Sequence, residues 1–261
     1  MNLTIYQVDA FSDVLFKGNP AAIIPLQSWL PDNIMQEIAA ENNLSETAYF
    51  IPKEDDFELR WFTPAKEVRL CGHATLATAH VLYRHLGYKE GAIVFHTLSG
   101  KLEVRLSGDA YNMDFPTDKI QRVERPSELF EEALGIAPAE VWKGEDDYMV
   151  VLDSYEDVVG LYPDFSIMKK INARGVLVTA PGKDTDFVSR GFFPAYGVDE
   201  DPVTGSAHTT LTPYWADRLG KKELTALQAS KRSGRLHCTY KGDRVKIIGD
   251  AVTFLIGTIW I

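Results

Sequence analysis

One helical phrase occurs twice in this chain, and that duplication constrains the fold more than any other feature. The first copy is Leu70–Gly87, in which a tight turn at Gly72 feeds apolar positions at helical spacing through Thr75, Leu76, Ala79, Leu82 and Tyr83. The second is Thr204–Gly220, and the interval from Gly72 to Gly87 equals that from Gly205 to Gly220. The flanks match as well. Arg60, Phe62, Pro64 and Ala65 precede the first copy as Arg190, Phe192, Pro194 and Ala195 precede the second. Ser99-Gly100-Lys101-Leu102 and Gly108-Asp109 follow the first as Ser233-Gly234-Arg235-Leu236 and Gly242-Asp243 follow the second. Farther upstream, Ile34-Met35, Ile38 and Ala40 pair with Ile167-Met168, Ile171 and Ala173. Matches kept in order are the mark of an internal repeat. The pattern predicts two domains, residues 1–116 and 117–251, with the last strand, about 252–261, able to return to the first.

A chain of 261 residues holds enough apolar material, 45%, for two cores of that size. The net charge of −10 argues against a nucleic-acid surface, which needs a basic stripe. It leaves room for a small anion, because the first turn of a helix offers free N–H groups and a partial positive charge. Cys71 and Cys238 make no disulfide framework and no metal-like pair, which suits a reducing cytoplasm. No segment reads as a signal peptide or a membrane span.

Strands are predicted over Leu3–Phe11, from Ala22, and over Thr47–Ile51, Phe57–Phe62, Ile93–Leu98, Leu102–Leu106 and Tyr111–Phe115, with a helix at Pro31–Asn42 and a hairpin turn at Ser99-Gly100. The polar stretch Thr117–Pro126 reads as a linker. Beyond it, helices are predicted at Ser127–Leu134, Tyr155–Leu161 and Phe165–Asn172. Strands follow at Tyr148–Leu152, Val176–Thr179, Phe187–Phe193, Arg235–Tyr240, Arg244–Ile248 and Thr253–Ile261.

Glu46 heads an apolar strand, where burial favours a neutral carboxyl and general acid/base work; a solvated loop glutamate is the alternative. The second half has no acid at the matching place. Cys71 precedes Gly72, where a helix N-terminus can activate a thiol, but Thr204 stands at the equivalent position, so a two-thiol racemase is incomplete. His73 and Ser206 follow the two helix glycines and can reach a bound ligand. His80, His85 and His208 lack zinc-ligand spacing, and no metal site is expected. Asp201, ahead of Pro202, serves either as a turn acid or as a partner for a substrate amine or for His73. Asn19, between Gly18 and Pro20, is plain turn chemistry or a polar ligand contact.

These residues fall within phrases that resemble the PhzF family of phenazine-biosynthesis-like isomerases: Val8–Ala22 (VDAF…GNPAA), Asn42–Phe50 (NNLSETAYF), Arg60–Leu82 and Gly197–His208 (GVDEDPVTGSAH). They run through both halves. The resemblance implies a diaminopimelate epimerase-like α/β (α+β) fold: two homologous domains, each a curved mixed sheet or barrel around a central helix, with the site in the cleft between them. It implies a cofactor-free isomerase in which Glu46 moves a proton on a small unsaturated carboxylate, with His73 and Asp201 beside it in the catalytic set and Gly72, His73, Gly205, Ser206 and Asn19 at substrate-binding positions. In PhzF itself the substrate is a dihydro-hydroxyanthranilate. Relatives are commonly dimeric, so a homodimer is expected, with neither nucleic acid nor membrane as partner. A racemase working through Cys71 and a non-catalytic ligand-binding protein are the competing readings.

Overall fold

The computed structural model of the protein describes residues 1–89 and 91–261. The chain forms two compact units, Met1–Phe115 with Ile247–Ile261, and Pro116–Lys246. Both are mixed α+β. Among the described residues, no helix is long and apolar enough to cross a membrane.

The first unit contains β1 (Asn2–Ala10), β2 (Asn19–Pro25), α1 (Asp32–Asn42), β3 (Glu46–Lys53), β4 (Asp56–Phe62), β5 (Glu67–Val68), α2 (Gly72–Arg84), β6 (Ile93–Thr97), β7 (Gly100–Ser107) and β8 (Ala110–Pro116). β2 runs parallel to β3, β3 antiparallel to β4, β4 parallel to β6 and β6 antiparallel to β7. The β6–β7 hairpin turns at Leu98-Ser99, with Gly100 already in the ladder opposite Thr97. A parallel pair needs a crossover connection. α1 supplies it between β2 and β3, burying Met35, Ile38 and Ala39 against Ile24, Tyr49 and Phe62.

α2 supplies the other crossover, between β4 and β6. Gly72 to Leu82 are all buried, so this helix is wrapped rather than laid on a surface. Its hydroxyls are satisfied within the helix: Thr75 Oγ1 donates to the Cys71 carbonyl at 2.5 Å and Thr78 Oγ1 to the Ala74 carbonyl at 2.7 Å.

The second unit repeats the same order. It comprises β9 (Gln121–Arg122), α3 (Leu129–Leu134), β10 (Glu140–Lys143), β11 (Tyr148–Val151), α4 (Tyr155–Val159), α5 (Phe165–Met168), β12 (Val176–Pro181), β13 (Phe187–Phe193), β14 (Val198–Asp201), α6 (Ala207–Leu219), β15 (Glu223–Gln228), β16 (Gly234–Tyr240) and the start of β17 (Arg244–Gly249). β11 runs parallel to β12, β12 antiparallel to β13, β13 parallel to β15 and β15 antiparallel to β16. This is the pairing sequence of the first unit. Its core gathers Phe130, Val150, Met168, Val178 and Phe192 around short α3, α4 and α5. The last strand, β18 (Ala251–Trp260), pairs antiparallel with β1.

One sequence expectation needs correction. The second repeated helix begins at Ala207, not at Gly205; Gly205 and Ser206 form a turn whose carbonyls accept from His208 N–H at 3.0 Å and Thr209 N–H at 3.1 Å. The polar stretch read as a linker at the head of the second domain is packed onto that unit. Pro213 has no N–H to give the carbonyl four residues earlier. That carbonyl, on Thr209, instead accepts from the Asp118 amide at 3.2 Å, while Asp118 Oδ2 accepts from Thr210 Oγ1 at 2.8 Å. Farther along, Gln121 and Arg122 pair with β10.

Candidate functional site

The first unit brings four polar side chains together where β2, β3 and α2 begin. Gly18 sits at φ +65°, and a Cβ there would lie 2.2 Å from the Ala10 carbonyl oxygen. Only glycine fits that turn, and it delivers Asn19 fully buried at the head of β2. Glu46 opens β3, in register with Ala21 of β2. Cys71 is the N-cap of α2, in extended conformation, and His73 lies in the first turn.

His73 is the hub. Its Nε2 stands 3.1 Å from Glu46 Oε2, its Nδ1 3.2 Å from Asn19 Nδ2, and Cys71 Sγ lies 3.5 Å from Nδ1 and 4.0 Å from Nε2. The His73 side chain is 5% exposed and that of Glu46 16%, so the carboxylate is the member of the group that solvent or a ligand can reach. Among the described residues, Glu46 Oε2 makes no hydrogen bond of regular geometry despite the close imidazole, so the contact is an ion pair off the ideal N–H direction.

The electrostatics follow from burial and neighbours. Loss of water opposes charging His73, but the adjacent Cys71 and Glu46 overcome it and hold the imidazole well above its ordinary pKa. Burial, helped by Glu46, pushes the Cys71 thiol up to about 11. Thiol activation by the helix N-terminus, considered from sequence, therefore runs the wrong way: desolvation outweighs the helix field. His73 Nδ1 faces the Asn19 carboxamide, whose Nδ2 lies toward the ring at 3.2 Å.

Glu46, Cys71 and His73 offer three ligand atoms within 4.8 Å of one another, enough to hold a metal ion. The search for histidine spacing missed this set because its members come from β3 and from the cap of α2. His80, His85 and His208 have other partners. His80 Nδ1 is 2.9 Å from the Tyr111 hydroxyl, Nε2 atoms of both His80 and His85 approach Thr253 Oγ1, and His208 Nδ1 lies 2.9 Å from the Thr204 carbonyl.

In the second unit, Asp201 ends β14 and accepts from Thr204 Oγ1 at 2.5 Å. Thr204, the counterpart of Cys71, thus spends its hydroxyl on the turn acid. Gln228, 1% exposed, completes the turn: its Oε1 accepts from the Thr204 amide at 2.7 Å and its Nε2 donates to the Asp201 carbonyl at 2.9 Å. Sequence reasoning missed Gln228, since it lies in a strand that carries no motif and is joined to Thr204 only by the fold. Gly205 and Ser206 follow in the turn before α6, and Ser206 has helical backbone angles.

The phenazine biosynthesis-like protein family matches residues 8–257 of the chain. An uncharacterized isomerase of Pseudomonas aeruginosa is 54% identical over 99% of both chains. A crystal structure of a phenazine biosynthesis protein of the PhzF family from Enterococcus faecalis is similar at a TM-score of 0.97, with 45% identity and full coverage of both chains. A hydroxyproline epimerase from Agrobacterium vitis shares the fold alone, at a TM-score of 0.64 and 9% identity, with 99% of this chain and 92% of that one covered. The diaminopimelate epimerase-like architecture expected from the sequence is therefore the observed one, and the chain belongs to the phenazine biosynthesis-like PhzF family of isomerases.

Proposed function

We propose that the protein is a cofactor-independent isomerase that moves a proton between two carbons of a small unsaturated carboxylate, with Glu46 as the general acid/base. The observation that carries this reading is the contact of Glu46 Oε2 with His73 Nε2 at 3.1 Å between two largely buried side chains. A carboxylate held there by a charged imidazole, yet still reachable, is suited to take a proton from a carbon made acidic by neighbouring unsaturation. As the C–H bond breaks, its electron pair enters the conjugated system. The N–H groups of the first turn of α2, at Gly72 and His73, favour that developing negative charge. Glu46 then returns the same proton to another carbon, and no net redox change occurs.

Asn19 and His73 act as positioning and contact residues in the first unit. Asp201, Gly205 and Ser206 are the second unit's substrate-binding set, with Asp201 suited to an amine and the turn before α6 to an anion. The two free, buried cysteines fit a reducing cytoplasm, and a homodimer is the assembly that the resemblance implies.

The test is NMR in D2O with the wild type and Glu46→Gln, on a dihydro-hydroxyanthranilate and then on unsaturated amino acids. Deuterium should enter carbon with the wild type and fall by about 10²–10⁴-fold with Glu46→Gln. Exchange that survives in Glu46→Gln removes Glu46 from the reaction. Binding with no exchange for any compound favours a ligand-binding protein.

A further inference from the structure

We propose that Cys71, His73 and Glu46 form a binding site for one thiophilic divalent cation of the Zn2+ type, and that the ion blocks the pocket reversibly. The argument is geometric. Tetrahedral zinc holds sulfur at about 2.3 Å and nitrogen or oxygen at about 2.0–2.2 Å, which sets ligand atoms roughly 3.3–3.7 Å apart. Here His73 Nε2 is 3.1 Å from Glu46 Oε2 and 4.0 Å from Cys71 Sγ. Those two separations need to change by less than about 1 Å, and all three ligand atoms lie within 4.8 Å of one another, a spread that rotation of the Glu46 and Cys71 side chains can close onto one ion. Glu46 Oε2 is buried and has no regular hydrogen bond to give up.

The outer contact is also in place. A metal-bound imidazole donates its other N–H to an acceptor; Asn19 Nδ2 lies 3.2 Å from Nδ1, and turning that carboxamide over would bring its carbonyl oxygen to the ring N–H. One thiolate, one imidazole and one carboxylate favour Zn2+, Co2+ or Cd2+ over Mg2+ or Ca2+. On binding, the S–H bond of Cys71 is replaced by a metal–sulfur bond and a metal–nitrogen bond forms at Nε2; the displaced protons leave to the buffer. The partly exposed Glu46 is the entry point.

The blocking of turnover rests on the proposed role of Glu46; the binding does not. The test therefore reads the metal directly: Co2+ is added to the metal-free protein and the sulfur-to-cobalt charge-transfer band is followed, with Zn2+ then displacing Co2+. The expected result is a band saturating at one equivalent. It should disappear in Cys71→Ser, persist in Cys238→Ser and require about tenfold or more Co2+ in Glu46→Gln, with circular dichroism unchanged. A band that survives in Cys71→Ser, vanishes in Cys238→Ser, or is indifferent to Glu46→Gln overturns the proposal, as does absence of a band in the wild type. If proton exchange is absent but the band behaves as stated, the isomerase reading falls and the metal site stands.

Discussion

Acid should loosen the second unit through one buried histidine. His208 is 0% exposed, tilted against the Phe187 ring at 5.8 Å, and its Nδ1–H donates to the Thr204 carbonyl. Among the described residues, its Nε2 has no hydrogen-bond partner, so a second proton has nothing to receive it. Burial lowers its pKa from 6.5 to about 4. The unfolded chain therefore binds the proton more readily than the folded one. The stability from this group is complete above pH 6.5 and drains away as pH falls toward 4. At 1.36 kcal/mol per unit, the full loss is about 3 kcal/mol, of which about 2 kcal/mol is gone at pH 5.

Replacing His208 by Gln, which does not titrate here, should remove that slope. Hydrogen–deuterium exchange of the α6 amides, corrected for intrinsic rates, reads it within the unit concerned. Between pH 7.5 and pH 5 the wild type should lose about 30-fold more protection than His208→Gln, the equivalent of about 2 kcal/mol. Equal losses in the two proteins would refute the assignment of the acid sensitivity to this imidazole.

Other consequences are as direct. Cys71→Ser should reduce carbon–hydrogen exchange far less than Glu46→Gln, since the thiol is held protonated at neutral pH; parallel D2O measurements on the two variants decide this. Gly18→Ala should cost about 3 kcal/mol in urea unfolding, because the new Cβ meets a backbone carbonyl at a positive φ and the turn that presents Asn19 must move. Asp147, 2% exposed, accepts from Arg174 Nε at 2.9 Å, and Asp147→Asn should cost about 2–3 kcal/mol by leaving a guanidinium short of its anion; thermal unfolding reports it.

Much of this molecule was legible in its sequence because it repeats. The order of Arg-x-Phe strands, glycine-led helices and Ser-Gly turns survives in both halves, and each half folds with the same succession of parallel and antiparallel pairs. Local chemistry also fixed α1 and α2, whose apolar spacing and end signals are written in neighbouring residues. Glu46 and His73 could be singled out one at a time, since each stands beside a recognisable turn or strand.

Their meeting was not legible. Asn19 and His73 are 54 positions apart and are joined only because β2 packs against α2. The start of α6 was misjudged because a glycine permits a turn as readily as a helix. The packing of the polar stretch after residue 116 was not legible either, because its partner is a carbonyl orphaned by Pro213 far along the chain. Reactivity diverged most. The sequence places Cys71 at a helix N-terminus, where a thiol is activated, yet its pKa is about 11 because packing removes the water a thiolate needs. Sequence specifies which groups are present and the local turn that carries each. Burial and the distances between groups, which set their charge, arise only when the sheet closes around the helix.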